Sequence, residues 1–502
     1  MSQLEAPDPR RSTAIALAAV GVLAMAGSLA AGPEAAVAGA AVLIASCLLA
    51  MRELATPTFT WPTVLSAFVL MMWFIPGRGY RLPVTLPFNL EPYRLVLGLL
   101  VVVFLVAVAN GRAQIRFGGY GPALATMVGA AVISAFLNYN AIATDAGDGA
   151  IKSLSYFLGI VAVFVLFSSV LRTHEEIDTV LRAFVIGAAV VGLSTVYESR
   201  FGYNAFDHLH EYVPALVREA RTAFDVRAGN VRVHASAQHP IALAGALLLA
   251  FPFSLYLSQR ATTIWRSRTW LVLGGACAIG ASATISRTTV IMIVAMLVVA
   301  LMLRARDLVR YWPVLLLTPV VIYFAVPGAL GGIFYSFFPK RGLLGADLYS
   351  RQGESGSGRL ADLEPGLRVW SESPLFGKGL GSEVTTASSG VADVAEGAEG
   401  AIIFFDNQYL GTLISIGAIG FAGVLWFVWG VVGSMFKGAR RARDALGDLM
   451  SICAVGLAGF GAGMLVFDAF AFVQAAMFFF MVAALGLQAR RLEREKTASA
   501  ET

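Results

Sequence analysis

Residues 408–433 read QYLGTLISIGAIGFAGVLWFVWGVVG, a run that contains no charged side chain. A helix of this length, rising about 1.5 Å per residue, is long enough to cross the roughly 30 Å hydrocarbon core of a bilayer. Similar apolar stretches recur from Thr13 to Leu487. Charged residues make up 14% of the chain, whereas a soluble domain carries about 25%. The sequence therefore predicts an all-α polytopic membrane protein.

Hydropathy predicts about fourteen transmembrane helices, within a range of about twelve to fourteen, in a single transmembrane domain of residues 1–502. Arg10 and Arg11 before the first apolar stretch resemble the start of a signal peptide, but retaining that stretch as a span gives a consistent topology. The predicted spans are 13–30, 34–51, 60–76, 95–109, 122–137, 151–171, 183–197, 241–257, 269–285, 288–303, 312–330, 408–433, 449–467 and 469–487.

Basic residues concentrate in alternate short connectors between these spans. Because translocated loops are normally depleted of lysine and arginine, these connectors and both termini are expected to be cytoplasmic. The sequence pI near 9.1 is explained by this arrangement, so nucleic acid is not expected as a partner. The connectors contain Arg112 and Arg116; Arg172 and Arg182; Arg260, Arg266 and Arg268; Arg304, Arg306 and Arg310; Lys437, Arg440, Arg441 and Arg443; and Arg490, Arg491 and Arg494.

The three cysteines indicate neither a disulfide framework nor a metal site. Cys47, Cys277 and Cys453 all lie inside predicted spans, far apart in sequence. An odd, unclustered set of this kind suits neither role.

Three long connections are predicted on the extracytoplasmic side: residues 77–94, 198–240 and 331–405. A surface helix is predicted within the second, over residues 212–224, as a roof for a cavity. Ordering a loop as long as the third is costly in conformational entropy and usually serves function, so we expect it to form part of an active site. Its segment Gly377-Lys-Gly-Leu-Gly381 lacks the spacing of a nucleotide-binding motif and is interpreted as backbone turns.

Arginines on the predicted outer face are unusual and suggest an anion-binding clamp. Arg287 follows Ser286 in a tight link between two spans, where a snorkelling or capping role is the alternative. Arg232 is equally compatible with a loop-anchoring role. Arg359, in Ser355-Gly-Ser-Gly-Arg359, can approach a ligand closely because glycines flank it. The outer arginines are Arg78, Arg81, Arg94, Arg200, Arg218, Arg221, Arg227, Arg232, Arg287, Arg341, Arg351, Arg359 and Arg368.

Asp406 is the candidate general base, because it ends the long loop at a membrane boundary. The alternative is that Asp406 caps the helix predicted to begin near Gln408. Asp468, in a short link between spans, is interpreted as a turn residue. Glu198 remains open between roles.

The outer histidines leave two interpretations open. His208 and His210 resemble a metal-ligand pair, but no third ligand is evident. His234 and His239 lie near Arg232 in sequence and suit either acid–base work or a structural role.

An ordered set of motifs resembles the O-antigen ligase and O-antigen polymerase superfamily of bacterial envelope glycosyltransferases. The resemblance is clearest over residues 280–430. The set contains Ser286-Arg287, Ser357-Gly-Arg359, Trp370, Ser373-Pro-Leu-Phe-Gly-Lys-Gly379, Asp406-Asn-Gln-Tyr-Leu410 and Gly417-Ala-Ile-Gly420.

The resemblance implies a GT-C-like enzyme of the bacterial inner membrane with its active site on the periplasmic or outer face. It would transfer a glycan from an undecaprenyl diphosphate carrier to a glycan or glycolipid acceptor, with inversion and without a metal or other cofactor. Arg232, Arg287 and Arg359 match the family's functional arginines. Asp406 would act as base, and the surrounding substrate-binding residues would be Asn407, Tyr409, Trp370, His239, Ser286 and Lys378.

One position departs from the family pattern. Ligases of this kind place a histidine before the asparagine, where this chain has Asp406. A carboxylate can also accept the proton of a sugar hydroxyl, so ligase, polymerase, exopolysaccharide and teichoic-type transfer all remain open. A transporter or flippase for an anionic or lipid-linked precursor, and a non-catalytic scaffold, are the alternatives from other classes.

Overall fold

The computed structural model describes residues 60–84, 90–139, 147–219, 226–227, 230–309, 320, 322–324, 326, 363–380 and 407–501. These residues are mainly helical, with four two-residue strands. The helices are α1 Trp61–Phe74, α2 Pro92–Ala109, α3 Gly121–Leu137, α4 Gly147–Val170, α5 His174–Phe201, α6 Leu209–Tyr212, α7 Pro240–Gln259, α8 Ile264–Ala283, α9 Arg287–Val309, α10 Leu363–Ser371, α11 Gln408–Arg441, α12 Ala445–Gly463 and α13 Val473–Glu501. The strands are β1 Tyr80–Arg81, β2 Val217–Arg218, β3 Val226–Arg227 and β4 Asn230–Val231.

Seven helices in the described part of the chain are long and apolar enough to cross a membrane. They lie within α2, α4, α5, α7, α11, α12 and α13, and shorter apolar helices occupy α1, α3 and the first part of α9. This confirms the prediction of an all-α polytopic membrane protein. The predicted spans 13–30 and 34–51 and most of 312–330 lie outside the described residues, so the total of about fourteen spans stays a prediction.

Helix α13 forms the centre of the bundle. In its most apolar window 94% of the residues are buried, whereas a lipid-facing helix would expose one side. Phe478 lies 4.5 Å from the Trp73 ring of α1, and Phe480 stacks on Phe427 of α11 at 5.0 Å between centroids. Aromatic contacts at these separations are favourable beyond the area they bury. They tie the first and the last described spans into one core.

Helix α5 extends well beyond the predicted span 183–197 because its ends are set by local signals. The Thr173 side chain accepts a hydrogen bond from the Glu176 backbone N–H, and the Glu176 carboxylate accepts one from the Thr173 backbone N–H, forming a capping box. The helix ends at Gly202, whose φ of 67° is left-handed. The 28-residue helix therefore projects past the membrane-spanning length and carries Glu198 into the outer loops.

The first two outer loops pair with each other, which corrects the surface helix predicted at residues 212–224 over residues 213–219; residues 220–224 lie outside the described structure. Strands β1 and β2 are antiparallel, with Tyr80 opposite Arg218. Tyr80 is buried, and its hydroxyl donates to Phe206 O at 2.7 Å and accepts from Leu209 N at 3.0 Å. The apolar residues beyond α6 are therefore used for strand pairing and for packing against Tyr80 rather than for a continuous helix.

Candidate active site

Arg232 and the Ser286-Arg287 link lie together. Arg232 is only 3% exposed, and its Nε donates to the carbonyl oxygen of Thr284 at 3.1 Å. Thr284 ends α8, and α9 begins at Arg287 after Ile285, whose φ of 50° is unusual for a β-branched residue. Of the three arginines predicted to form a clamp, Arg232 thus contacts the segment that leads into Arg287.

The N-terminal turn of α9 is rich in buried hydroxyl groups. Ser286, Thr288 and Thr289 are all at most 2% exposed, and within the described structure their hydroxyl groups make no hydrogen bond. The first backbone N–H groups of a helix lack intrahelical acceptors and favour anions. Ser286, predicted to bind substrate, therefore lies where a negatively charged group would be stabilised.

Glu198 anchors the segment that follows Arg232. Its carboxylate accepts hydrogen bonds from the backbone N–H of Ala235 at 2.8 Å and of His234 at 3.3 Å. Ala235 has a φ of 43°, so the turn needs such support. The role left open by the sequence is therefore a structural one: Glu198 fixes the backbone from which Arg232 projects.

The two histidines near Arg232 have structural contacts. His239 caps α7, with Nδ1 accepting from Ile241 N at 3.2 Å, and its ring stacks on Phe472 at 5.7 Å between centroids. His234 Nδ1 lies 3.2 Å from Asn204 Nδ2. The contact with Phe472 places His239 beside the link between α12 and α13, where its predicted substrate-binding role stays a prediction.

Asn407 is the N-cap residue of α11. Its side-chain oxygen accepts from the backbone N–H of Tyr409 at 3.0 Å and of Leu410 at 3.2 Å. Tyr409 is buried, and its hydroxyl donates to Gly461 O at 2.9 Å. Gln408 N donates to Met464 O and Phe467 O of the α12–α13 link. Asn407 and Tyr409, predicted to bind substrate, thus fix the start of α11 against α12.

The segment after α10 docks into a break in α11. Gly417 has φ 68° and ψ −174°, which interrupts the helix and leaves carbonyl groups without intrahelical partners. Lys378 N donates to Ile414 O at 2.8 Å and Gly379 N to Ser415 O at 3.0 Å, while Ala418 N donates to Pro374 O at 2.9 Å. This confirms backbone turns over the described residues 377–380 of the glycine-rich segment, and it brings two of the resemblance motifs into contact.

Trp370 and Lys378 support this docking. Trp370 packs against Leu410 and Ile414, and its Nε1 donates to Pro374 O at 3.0 Å. The Lys378 ammonium group pairs with Glu372. Both residues were predicted to bind substrate; in the structure each has a partner within residues 370–380 or on α11.

A second polar cluster, missed by the sequence analysis, surrounds a cavity of about 110 Å³ at the start of α11. Arg78, Tyr156 and Asp468 come from three distant parts of the chain to line it, together with Gln408 and Thr412. The Arg78 guanidinium lies over the Tyr156 ring, 5.4 Å from its centroid. Asp468, interpreted as a turn residue, does form that turn, since Ala471 N donates to Asp468 O, but it also faces this cavity. The sequence signals were that Arg78 is an arginine in an outer loop and that Gln408 lies in the Asp406-Asn-Gln-Tyr-Leu410 motif.

Two of the predicted catalytic residues, Arg359 and Asp406, lie outside the described residues. Among the residues that the structure describes, no group of three or more His, Cys, Asp or Glu side chains is suitably placed to hold a metal ion. His208 stacks on Tyr203, with 4.5 Å between ring centroids, and its Nδ1 lies 2.9 Å from Asn204 O.

These features define an integral membrane protein whose polar side chains gather where helix ends and loops meet. A family model described as O-antigen ligase matches residues 270–425. This confirms the resemblance, and these residues therefore carry an O-antigen ligase family domain that includes α9, α10 and the broken first half of α11. The domain supports a glycosyltransferase-like role of the ligase or polymerase type. No curated protein sequence matches the chain significantly.

Proposed function

We propose that the protein is an inverting, metal-independent membrane glycosyltransferase of the ligase or polymerase type. It transfers a glycan from a polyprenyl diphosphate carrier, such as undecaprenyl diphosphate, to a saccharide or lipid acceptor at the extracytoplasmic face. The observation that carries this proposal is the 3.1 Å contact from Arg232 to Thr284 O, which holds a buried cation beside the link into Arg287.

The chemistry requires positive charge where the diphosphate departs. In the proposed step, the acceptor hydroxyl oxygen attacks the anomeric carbon of the donor glycan. The bond from that carbon to the phosphate oxygen breaks, and its electron pair leaves with the polyprenyl diphosphate. Arg232, Arg287 and Arg359 neutralise the departing oxygens, a task for which the arginine fork suits phosphate better than lysine.

The proton of the acceptor hydroxyl goes to Asp406 in this proposal. A carboxylate one residue before the Asn407 cap would sit at the start of α11, close in sequence to Gln408 at the second polar cavity. Attack from the face opposite the leaving diphosphate inverts the configuration of the anomeric carbon. The arginines supply the cationic role that a divalent metal would otherwise have.

The test uses purified protein in nanodiscs with an undecaprenyl-diphosphate glycan and a panel of glycan and glycolipid acceptors. Wild-type protein is expected to form product without ATP or an ion gradient and in the presence of EDTA. Arg287→Ala is expected to lose transfer by roughly 100-fold, the scale of a lost charge-stabilising group, with membrane abundance unchanged. A lipid that is moved across the bilayer but not modified would instead indicate a flippase.

Two further variants sharpen this test. Arg232→Lys keeps the charge but loses the planar fork, so transfer should fall while the fold survives. The matched control is Arg218→Ala, which removes an outer arginine that is 44% exposed and pairs with Asp207 at 3.7 Å; such surface pairs contribute little. A transfer rate of Arg287→Ala equal to that of the wild type would contradict the arginine clamp. A loss of transfer in Arg218→Ala as large as that in Arg287→Ala would also contradict it.

A further inference from the structure

The cavity at the start of α11 carries hydrogen-bonding groups that the protein itself does not satisfy. The Tyr156 side chain is buried, and its hydroxyl has no hydrogen-bond partner among the described residues. The same is true of Arg78 Nε, which is buried beside it. A buried polar group without a partner destabilises a fold. Two of them lining one cavity therefore point to a ligand that supplies the missing partners.

The backbone at Arg78 strengthens this inference. Arg78 has a φ of 56°, a left-handed conformation that costs free energy for a residue with a side chain. A glycine would adopt it without strain. The arginine at this position has its guanidinium over the Tyr156 ring and at the cavity wall.

The lining indicates the chemical class of the ligand. Arg78 donates, Tyr156 donates or accepts, and the carboxylate of Asp468 accepts, while Phe470 offers an apolar surface. A neutral sugar ring matches this mixture because its hydroxyls both donate and accept and its C–H faces are apolar. One water needs about 10–15 Å³, so about 110 Å³ holds roughly seven to eleven water-sized groups, which is the scale of a single monosaccharide unit.

We propose that this cavity binds the sugar unit of the acceptor, with Arg78, Tyr156 and Asp468 as its contacts. The assignment to the acceptor, rather than to another saccharide, rests on the proposed transferase function. The α12–α13 link and the first residue of α13 contact both the cavity and the segment that follows Arg232: Phe467 O accepts from Gln408 N, and Val473 N donates to the Gln238 side chain. The acceptor sugar and the donor diphosphate would thus occupy opposite sides of that link.

The decisive variant is Tyr156→Phe, which removes only the hydroxyl oxygen. If that hydroxyl has no ligand, its removal should leave transfer unchanged and the protein equally or more stable. If it binds the acceptor, the KM for acceptor should rise about tenfold, while the KM for the lipid-linked donor and the thermal midpoint stay at wild-type values. Tyr93→Phe is the matched control, because the Tyr93 hydroxyl is also buried without a described partner but does not line the cavity.

Arg78→Gly provides a second variant, since glycine relieves the positive φ while deleting the guanidinium. It should retain the fold and raise the acceptor KM as Tyr156→Phe does. Unchanged acceptor KM in both variants, or equal effects of Tyr93→Phe and Tyr156→Phe, would overturn the proposal.

A binding measurement separates this proposal from the transferase function. Saturation-transfer NMR with methyl glucoside, methyl galactoside and methyl N-acetylglucosaminide is carried out on protein without donor. Signal with wild type and Tyr93→Phe, lost in Tyr156→Phe and Arg78→Gly, supports the sugar site even if no transfer is found in any assay. Transfer by wild type with no glycoside binding, or with binding unaffected by Tyr156→Phe, leaves the transferase function standing and overturns the site.

Discussion

Asn407 sets the point at which α11 begins, at the end of the long outer loop. Its side chain satisfies two backbone N–H groups, those of Tyr409 and Leu410. Asn407→Ala should therefore destabilise the protein by about 1 kcal/mol, the usual cost of losing such a cap. Thermal unfolding of the purified variant measures this.

Asn407→Asp separates capping from substrate binding. Aspartate caps equally well and its charge suits a helix N-terminus, so the thermal midpoint should return to the wild-type value. If Asn407 also shapes the substrate site, transfer stays impaired in this variant. Destabilisation by Asn407→Asp as large as that by Asn407→Ala would contradict the capping role.

At the level of single residues, the sequence identified candidate charged residues better than it predicted which residues lie close together in space. Arg232 and Arg287 could be singled out because arginine is costly on a translocated face, and Arg232 does lie against the segment before Arg287. Tyr156 and Asp468 could not, because each is an ordinary residue in its own segment. They become a site only when α4 and the α12–α13 link meet at one cavity.

At the level of elements, the break in α11 at Gly417 is the feature with the strictest sequence requirement. A Cβ at Gly417 would lie 2.2 Å from Leu375 O, and φ 68° with ψ −174° belongs to a region essentially reserved for glycine. Gly417→Ala should cost on the order of 3 kcal/mol and undock residues 374–379. Limited proteolysis and membrane abundance would report both effects.

Gly433 offers the matched control in the same helix. A Cβ there meets nothing within 4 Å, so Gly433→Ala should be neutral or should stabilise by up to about 1 kcal/mol through helix propensity. Equal tolerance of both substitutions would show that docking at the break does not constrain α11.

The start of α12 carries a pH-dependent contact. Asp444 caps the helix by accepting from Gly447 N at 3.1 Å and pairs with Lys496 of α13 at 2.6 Å. Partial burial raises the pKa of Asp444, but the hydrogen bonds from Lys496 and Gly447 outweigh it and leave that pKa below its usual value. The stabilisation that this contact gives to the folded state is therefore present above the unfolded pKa of about 3.9. It is lost as the pH falls through the lower pKa that Asp444 has in the folded state.

Asp444→Asn tests this contact. Asparagine keeps the cap and removes the charge, so the thermal midpoint should change little at neutral pH, and its decline on acidification should become shallower than in wild type. Since Asp444 is partly exposed, the effect is small. A decline with pH identical to that of the wild type would assign the acid sensitivity to other groups.

Element type was more predictable than element ends. Apolar length alone located α2, α7 and α12, because a span must satisfy its own backbone hydrogen bonds. The helix predicted at residues 212–224 was wrong over residues 213–219, because pairing of β2 with β1, and packing of Leu216 against Tyr80, decided the conformation instead. Such tertiary pairing leaves no local trace in a short sequence.

At the level of the whole molecule, the bundle must place its two polar ends on opposite sides of the membrane. Basic residues in the last turn of α11, Arg440 and Arg441, mark the end predicted to be cytoplasmic. The opposite end holds the Arg232 contact, the acceptor cavity and the β1–β2 pair. A transferase that uses a lipid-linked donor at the outer face requires all of these on the extracytoplasmic side.

Cysteine accessibility in intact cells tests this orientation directly. The native Cys277 and Cys453 are buried, so a Cys47→Ser background should react little with a membrane-impermeant maleimide. In that background Arg218→Cys, beside the outer strands, should label in intact cells, whereas Arg440→Cys should label only after permeabilisation, because lysine- and arginine-rich ends stay cytoplasmic. The reverse pattern would place both Arg232 and the cavity on the cytoplasmic face, where a polyprenyl diphosphate transferase acting at the extracytoplasmic face could not use them.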